Sequence, residues 1–196
     1  MLTLLYFLLS STRYVKREIR SLTPEDRTRF LNAAHTLWEY STEEGRKVFG
    51  GDFTSIQTFV EVHSQASNDM LCDSFHGGTG FLTRHLALTN SFEAALRAID
   101  PAVTLPYWDF TIEGEEIYEL NKNPSYLMEI TPVFSAEWFG SVDIDHHIAD
   151  GRWAHSAMPM AQDENMTQNS YGYIRSYWNN NPDSEVTRCV CLATKE

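Results

Sequence analysis

The chain has 196 residues, 42% of them hydrophobic and 13% aromatic, which suits one globular domain with a sizeable core and argues against both disorder and several domains. Its net charge of −12 repels phosphate backbones and anionic lipid headgroups, so nucleic acid is not an expected partner. Seven histidines and three cysteines are the residues to follow, and an odd cysteine count does not make a disulfide framework.

The apolar run Leu2 to Leu9, broken only by Thr3, is far shorter than the roughly 20 residues that span a bilayer, so no transmembrane segment is expected. It reads as the apolar part of a secretory signal, with Ser10, Ser11 and Thr12 near a cleavage point, or as a segment that packs on the fold. Residues 1–12 are therefore set aside as a possible leader or signal remnant, and residues 13–196 are taken as one domain or part of one. Secretion or an endomembrane lumen stays open, and the acceptor Asn165-Met166-Thr167 leans slightly that way.

From Thr23 the pattern turns helical. Thr23 can cap the free N–H groups, Pro24 fits the first turn, and Glu25 and Asp26 complement the positive end of the helix dipole. Phe30, Ala34, Leu37 and Trp38 form its apolar face, and Gly45 with Gly50-Gly51 is expected to close it. Ile56, Phe59, Val60 and His63 then recur at i, i+3, i+4 and i+7, which places His63 on the buried face of a second helix.

A third helix is expected from about Thr83, with His85, Leu88, Phe92, Ala95, Leu96 and Ile99 on one stripe and Asp100-Pro101 as its stop. Between the two helices, Gly77, Gly78 and Gly80 allow sharp turns that present His76 toward the same space. Beyond Pro101 the helical signal fades into Leu105-Pro106-Tyr107-Trp108-Asp109-Phe110, an acidic stretch from Glu113 to Glu119, and Asn179-Asn180-Asn181-Pro182. The expected fold is mainly α, a partial helical bundle, with long ordered loops in the C-terminal half.

A single histidine on a helical face usually hydrogen-bonds in the core, and that is the plain reading of His35, His63 or His155 taken one at a time. His63, His76 and His85 differ because they fall within a short stretch on elements of different type. Three neutral imidazoles without a thiolate or carboxylate suit zinc or copper. A zinc hydrolase would need a base, and Glu61 or Asp73 is nearby, but neither lies at the spacing of a zinc motif such as His-Glu-x-x-His.

The string His76-Gly77-Gly78-Thr79-Gly80-Phe81-Leu82-Thr83-Arg84-His85, then Phe92-Glu93 and Leu105-Pro106-Tyr107-Trp108-Asp109-Phe110-Thr111, resembles the first copper half of the tyrosinases, the type 3 copper family shared with hemocyanins. The similarity extends from Arg17-Glu18-Ile19-Arg20-Ser21-Leu22-Thr23 through Val133-Phe134 and Trp138-Phe139-Gly140 to Asp150-Gly151-Arg152-Trp153. It implies a helical bundle holding two coppers, each on three histidines, that oxidises phenols or catechols with dioxygen. His63, His76 and His85 match the ligands of the first copper. Phe92 and Asp109 are candidates for the wall of that pocket and for support of an imidazole.

The second copper of that family needs a His-x-x-x-His pair and a third histidine on the next helix. After His85 only His146, His147 and His155 remain, at the wrong spacing. The resemblance therefore implies one copper ion for this chain, in place of the family's two, and a sequence that stops before the second motif. A mononuclear copper-binding or oxygen-carrier-like relative is the alternative. The expected partners are dioxygen and a small phenol, while oligomeric state stays open.

Two details depart from the family. Thr83-Arg84 stand before His85 and Leu86 after it, where members often carry Pro-Trp and Arg, and Cys72 lies four residues before His76, so no thioether to that histidine is expected. Cys189 and Cys191 read as unremarkable thiols or as a soft-metal pair. Tyr107 and Trp108 read as core, and the run from Glu113 to Glu119 as a solvated face.

Overall fold

The computed structural model describes residues 14–67, 74–76, 78–123, 126–143 and 147–156. The Leu2–Leu9 run, Cys72, Asp73, Gly77, His146, the Asn165 acceptor, the Asn179–Pro182 turn, Cys189 and Cys191 lie outside these residues. Among the described residues the fold is mainly α, with extended pairing limited to the isolated bridges Glu18–Tyr107 and Val142–Ile148. No helix among them is long and apolar enough to cross a membrane.

Helix α1 spans Pro24–Glu39, and the Thr23 hydroxyl accepts from the Asp26 N–H as its cap. It does not run on to the glycines. Tyr40 leaves the helix, and Ser41 opens a separate helix α2, Thr42–Phe49, through a reciprocal capping box with Glu44. Gly45 thus sits inside α2, where the fully buried Phe53 ring occupies the space that a Cβ would need.

Helix α3 covers Ile56–Ser67 and α4 covers Gly80–Ile99. The α4 start lies three residues ahead of the expected Thr83, so His85 falls in the second turn of the helix instead of the first. α1 packs against both α3 and α4. The core between them holds Phe30, Leu31, Ala34 and Leu37 of α1, Phe59 of α3, and Ala95 and Leu96 of α4. The N-terminal half of α4 lies away from that core: Phe81, Leu82 and Leu86 are exposed.

The C-terminal half forms helices α5, Thr111–Glu119, and α6, Leu127–Ile130, followed by a 3-10 turn at Pro132–Phe134 and loops that cover α1. Trp153 stacks on Phe139 and meets Trp38 and His35 edge-on, so His35 belongs to an aromatic cluster of the core. The backbone of Tyr107 pairs with Arg17 and Ile19, which ties the Pro-Tyr-Trp-Asp string to the N-terminal segment. Tyr107 itself is exposed, whereas Trp108 packs on Phe134.

The expectation of a solvated Glu113–Glu119 face needs one correction. Glu115, Glu116 and Glu119 are exposed, but Glu113 is buried. Its Oε1 accepts from Arg20, from the Thr131 hydroxyl at 2.8 Å and from the Trp108 indole at 3.4 Å. Burying a carboxylate is costly unless donors replace water, and Arg20 supplies the opposite charge from 93 residues away in sequence.

Candidate metal centre

Three elements bring the histidines together. His63 rides on α3, His85 on the second turn of α4, and His76 on the turn between them. That turn is anchored at its start, where Ser74 donates to the Ala66 carbonyl on α3 from its N–H at 3.2 Å and from its hydroxyl at 3.3 Å. At its end Gly78 takes φ +57°, a left-handed conformation that a side chain disfavours, and Gly80 lies so close to the Ser74 carbonyl that a Cβ there would collide with it.

The ring centroids stand 5.2 Å apart for His63–His76, 5.7 Å for His63–His85 and 5.8 Å for His76–His85. One nitrogen from each ring lies within 4.8 Å of the others, and this is the only such group among the described residues. Three nitrogens that each hold an ion at roughly 2.0–2.1 Å stand about 3.3–3.6 Å apart, so the trio closes on a metal by drawing in by about 1.2–1.5 Å at its widest. That closure takes a turn of the imidazoles toward one another, and the donor chemistry, three neutral nitrogens, fits a copper- or zinc-sized ion.

His85 is oriented from within its own helix. Its Nδ1 lies 2.7 Å from the Phe81 carbonyl, which can only accept, so Nδ1 carries the proton and Nε2 keeps its lone pair for a metal. His63 and His85 are half-buried and His76 is exposed, so the site opens to solvent on the His76 side. The set contains no carboxylate. Glu61, the base of a zinc-hydrolase reading, accepts a hydrogen bond from the Gln57 amide at 2.7 Å.

Phe92 meets Phe59 edge-to-face at 5.4 Å. Together with Ile56, His63, Leu88 and Leu105 they line a groove of about 360 Å³ between α3 and α4. Phe92 and the first histidine thus share one apolar wall. The Asp109 carboxylate takes its donors from the N–H and hydroxyl of Thr111, at 3.2 Å and 2.5 Å, and these hold its acid below the usual aspartate range. Two aromatic neighbours were not legible in the sequence. Phe75 touches the rings of His63 and His85, and Phe81 lies against His85 at 4.9 Å. Their only signal was position, one beside His76 and the other a helical turn before His85.

A mainly helical domain that brings three imidazoles within 4.8 Å of one another could hold a metal ion on histidine alone. The chain belongs to the tyrosinase family: the family model for the common central domain of tyrosinase matches residues 53–192. Among relatives, a grixazone synthase of Streptomyces griseus is 29% identical over 109 residues, covering 53% of this chain and 31% of that protein. The hemocyanin type 2 unit e of Rapana venosa is 28% identical over 144 residues, with 67% and 31% covered. A tyrosinase of Streptomyces lincolnensis is 28% identical over 102 residues, with 50% and 32% covered. The chain thus spans about a third of the length of these relatives. The family implies copper as the metal and an oxidoreductase as the class.

Proposed function

We propose that this chain binds one copper ion through His63, His76 and His85 and forms the first copper site of a tyrosinase-like oxidoreductase acting on phenols or catechols with dioxygen. The observation that carries the reading is the approach of three imidazole nitrogens to within 4.8 Å in a chain of this family. When bound, copper supplies one-electron redox chemistry between Cu(I) and Cu(II), which neutral imidazoles accommodate in both states. The protein's part is to orient the ligands and to line one side of the site with apolar groups. The Phe81 carbonyl fixes the His85 tautomer, and Phe59 and Phe92 keep the groove beside His63 apolar, a lining suited to the ring of a small phenol.

Reducing dioxygen by two electrons takes two such ions. Outside the trio the sequence has His35, His146, His147 and His155, none at His-x-x-x-His spacing. The chain alone is therefore expected to bind copper without turning over. The test is metal analysis after anaerobic loading with Cu(I), with a catechol assay alongside. One ion per chain, lost in His63→Ala and His85→Ala, with no quinone formed at catalytic protein concentration, supports the reading. Two ions, none, or rapid quinone formation overturns it.

The hemocyanin similarity, which covers 67% of the chain, favours a second reading: a copper-binding, oxygen-carrier-like relative that performs no oxidation. Reversible dioxygen uptake without catechol consumption, after the second copper half is supplied, would select it.

A further inference from the structure

We infer that Phe75 is a positioning residue for the histidine trio, a phenyl wedge that sets the spacing of His63 and His85 and the placement of His76; this rests on the copper-site reading. Phe75 is 4% exposed although its turn is otherwise made of Ser74, His76, Gly78 and Thr79. A phenyl ring neither ligates a metal nor carries a proton, so its burial acts through packing. Among what it packs on are two of the three imidazoles: the His63 ring at 4.9 Å and 61°, and the His85 ring at 5.1 Å and 79°. Both are edge-to-face, the arrangement that aromatic pairs prefer at such separations.

The two imidazoles come from different helices and stand 5.7 Å apart, so the three rings form a nearly equilateral triangle. Removing the phenyl frees both imidazoles to rotate or to close on each other. The effect also passes along the chain. Ser74 is hydrogen-bonded to α3, Phe75 packs beside the histidines of both α3 and α4, and His76 is the next residue, so seating the phenyl places the third ligand. Phe81 is the natural contrast: it meets His85 at 4.9 Å and is 50% exposed.

The test compares Phe75→Leu, which keeps an apolar side chain, with Phe81→Leu and the unaltered chain. Cu(I) affinity is read by competition with a chelator, Cu(II) geometry by electron paramagnetic resonance, and stability by melting of the metal-free protein. Hydrogen-bonding partners that orient ligating imidazoles are typically worth roughly 10–100-fold in metal affinity, and the low end of that range is the expectation for a packing contact. Phe75→Leu is expected to weaken Cu(I) binding by at least about tenfold and to broaden the Cu(II) spectrum, beyond any change in melting and well beyond the effect of Phe81→Leu. Unchanged affinity and spectrum in Phe75→Leu overturn the proposal.

Should Phe75→Leu fail to fold, the unaltered metal-free chain still decides. Nuclear Overhauser contacts from the Phe75 ring to the imidazole protons of both His63 and His85 support the wedge, and their absence sinks it. A chain that shows these contacts yet binds no copper would retire the copper-site reading and leave the packing role standing.

Discussion

The Nδ1–H of His85 donates to the carbonyl of Phe81 one helical turn earlier, at 2.7 Å. The bond is internal to α4, so it forms with the helix and does not wait for a metal. We expect metal-free His85 to be the Nδ1–H tautomer, which long-range proton–nitrogen correlation spectra report directly. A His85 protonated only at Nε2 would contradict that geometry and the ligand nitrogen assigned here.

Gly80→Ala should disturb the site from the opposite end of the turn. Alanine favours a helix over glycine by about 1 kcal/mol, so the propensity term alone predicts stabilisation. The added methyl collides with the Ser74 carbonyl, and moving that carbonyl moves Phe75 and His76. The expected outcome is lower urea stability together with weaker Cu(I) binding. A variant that gained stability and bound copper normally would show that α4 and the turn have room to separate.

Arg20→Ala should be among the most damaging changes outside the core. It leaves the buried Glu113 without its cation, and breaking such a pair costs on the order of 3–5 kcal/mol, here toward the low end because Arg20 is partly exposed. Glu113→Gln keeps the shape and removes the charge, so it should cost less. Urea denaturation of the two variants checks the order.

Acid should weaken the fold through its exposed-edge carboxylates. Paired guanidinium N–H donors of Arg29 hold the Asp100 acid below its usual range, and the hydroxyl and N–H of Ser141 do the same for Asp150. A carboxyl whose folded pKa is depressed contributes fully above the unfolded value of about 3.9 and loses that contribution as pH falls through the folded value. The melting temperature should therefore stay level near neutrality and fall below about pH 4. The gap between the unaltered chain and Asp100→Asn should narrow in the same range. A gap that persisted in strong acid would place the Asp100 effect elsewhere than in its charge.

Some of this was legible because its cause is local. Thr23-Pro24-Glu25-Asp26 announces α1 through capping and dipole effects that act within one turn, and the apolar period of Ile56, Phe59, Val60 and His63 announces α3. The Ser41/Glu44 capping box was equally local, but the neighbouring glycines read as punctuation and hid α2. Gly80 misled in the same way at the start of α4. Gly45 and Gly80 are there for space, under Phe53 and beside Ser74, and space is a property of the packed state.

The residue types and spacing of His63, His76 and His85 singled out a candidate metal-binding trio, and the strings around them carried the likeness to a family, because ligand chemistry depends on which donors are present. Whether their nitrogens meet, which nitrogen of His85 faces inward, and which ring packs beside them depend on how two helices and a turn pack. Glu113 teaches the same lesson: its sequence neighbourhood is acidic and solvated, and only Arg20, brought in from the far end of the chain, makes its burial tolerable. Order along a chain dictates local preference and chemical identity, whereas distance between remote side chains is decided when the core between them closes.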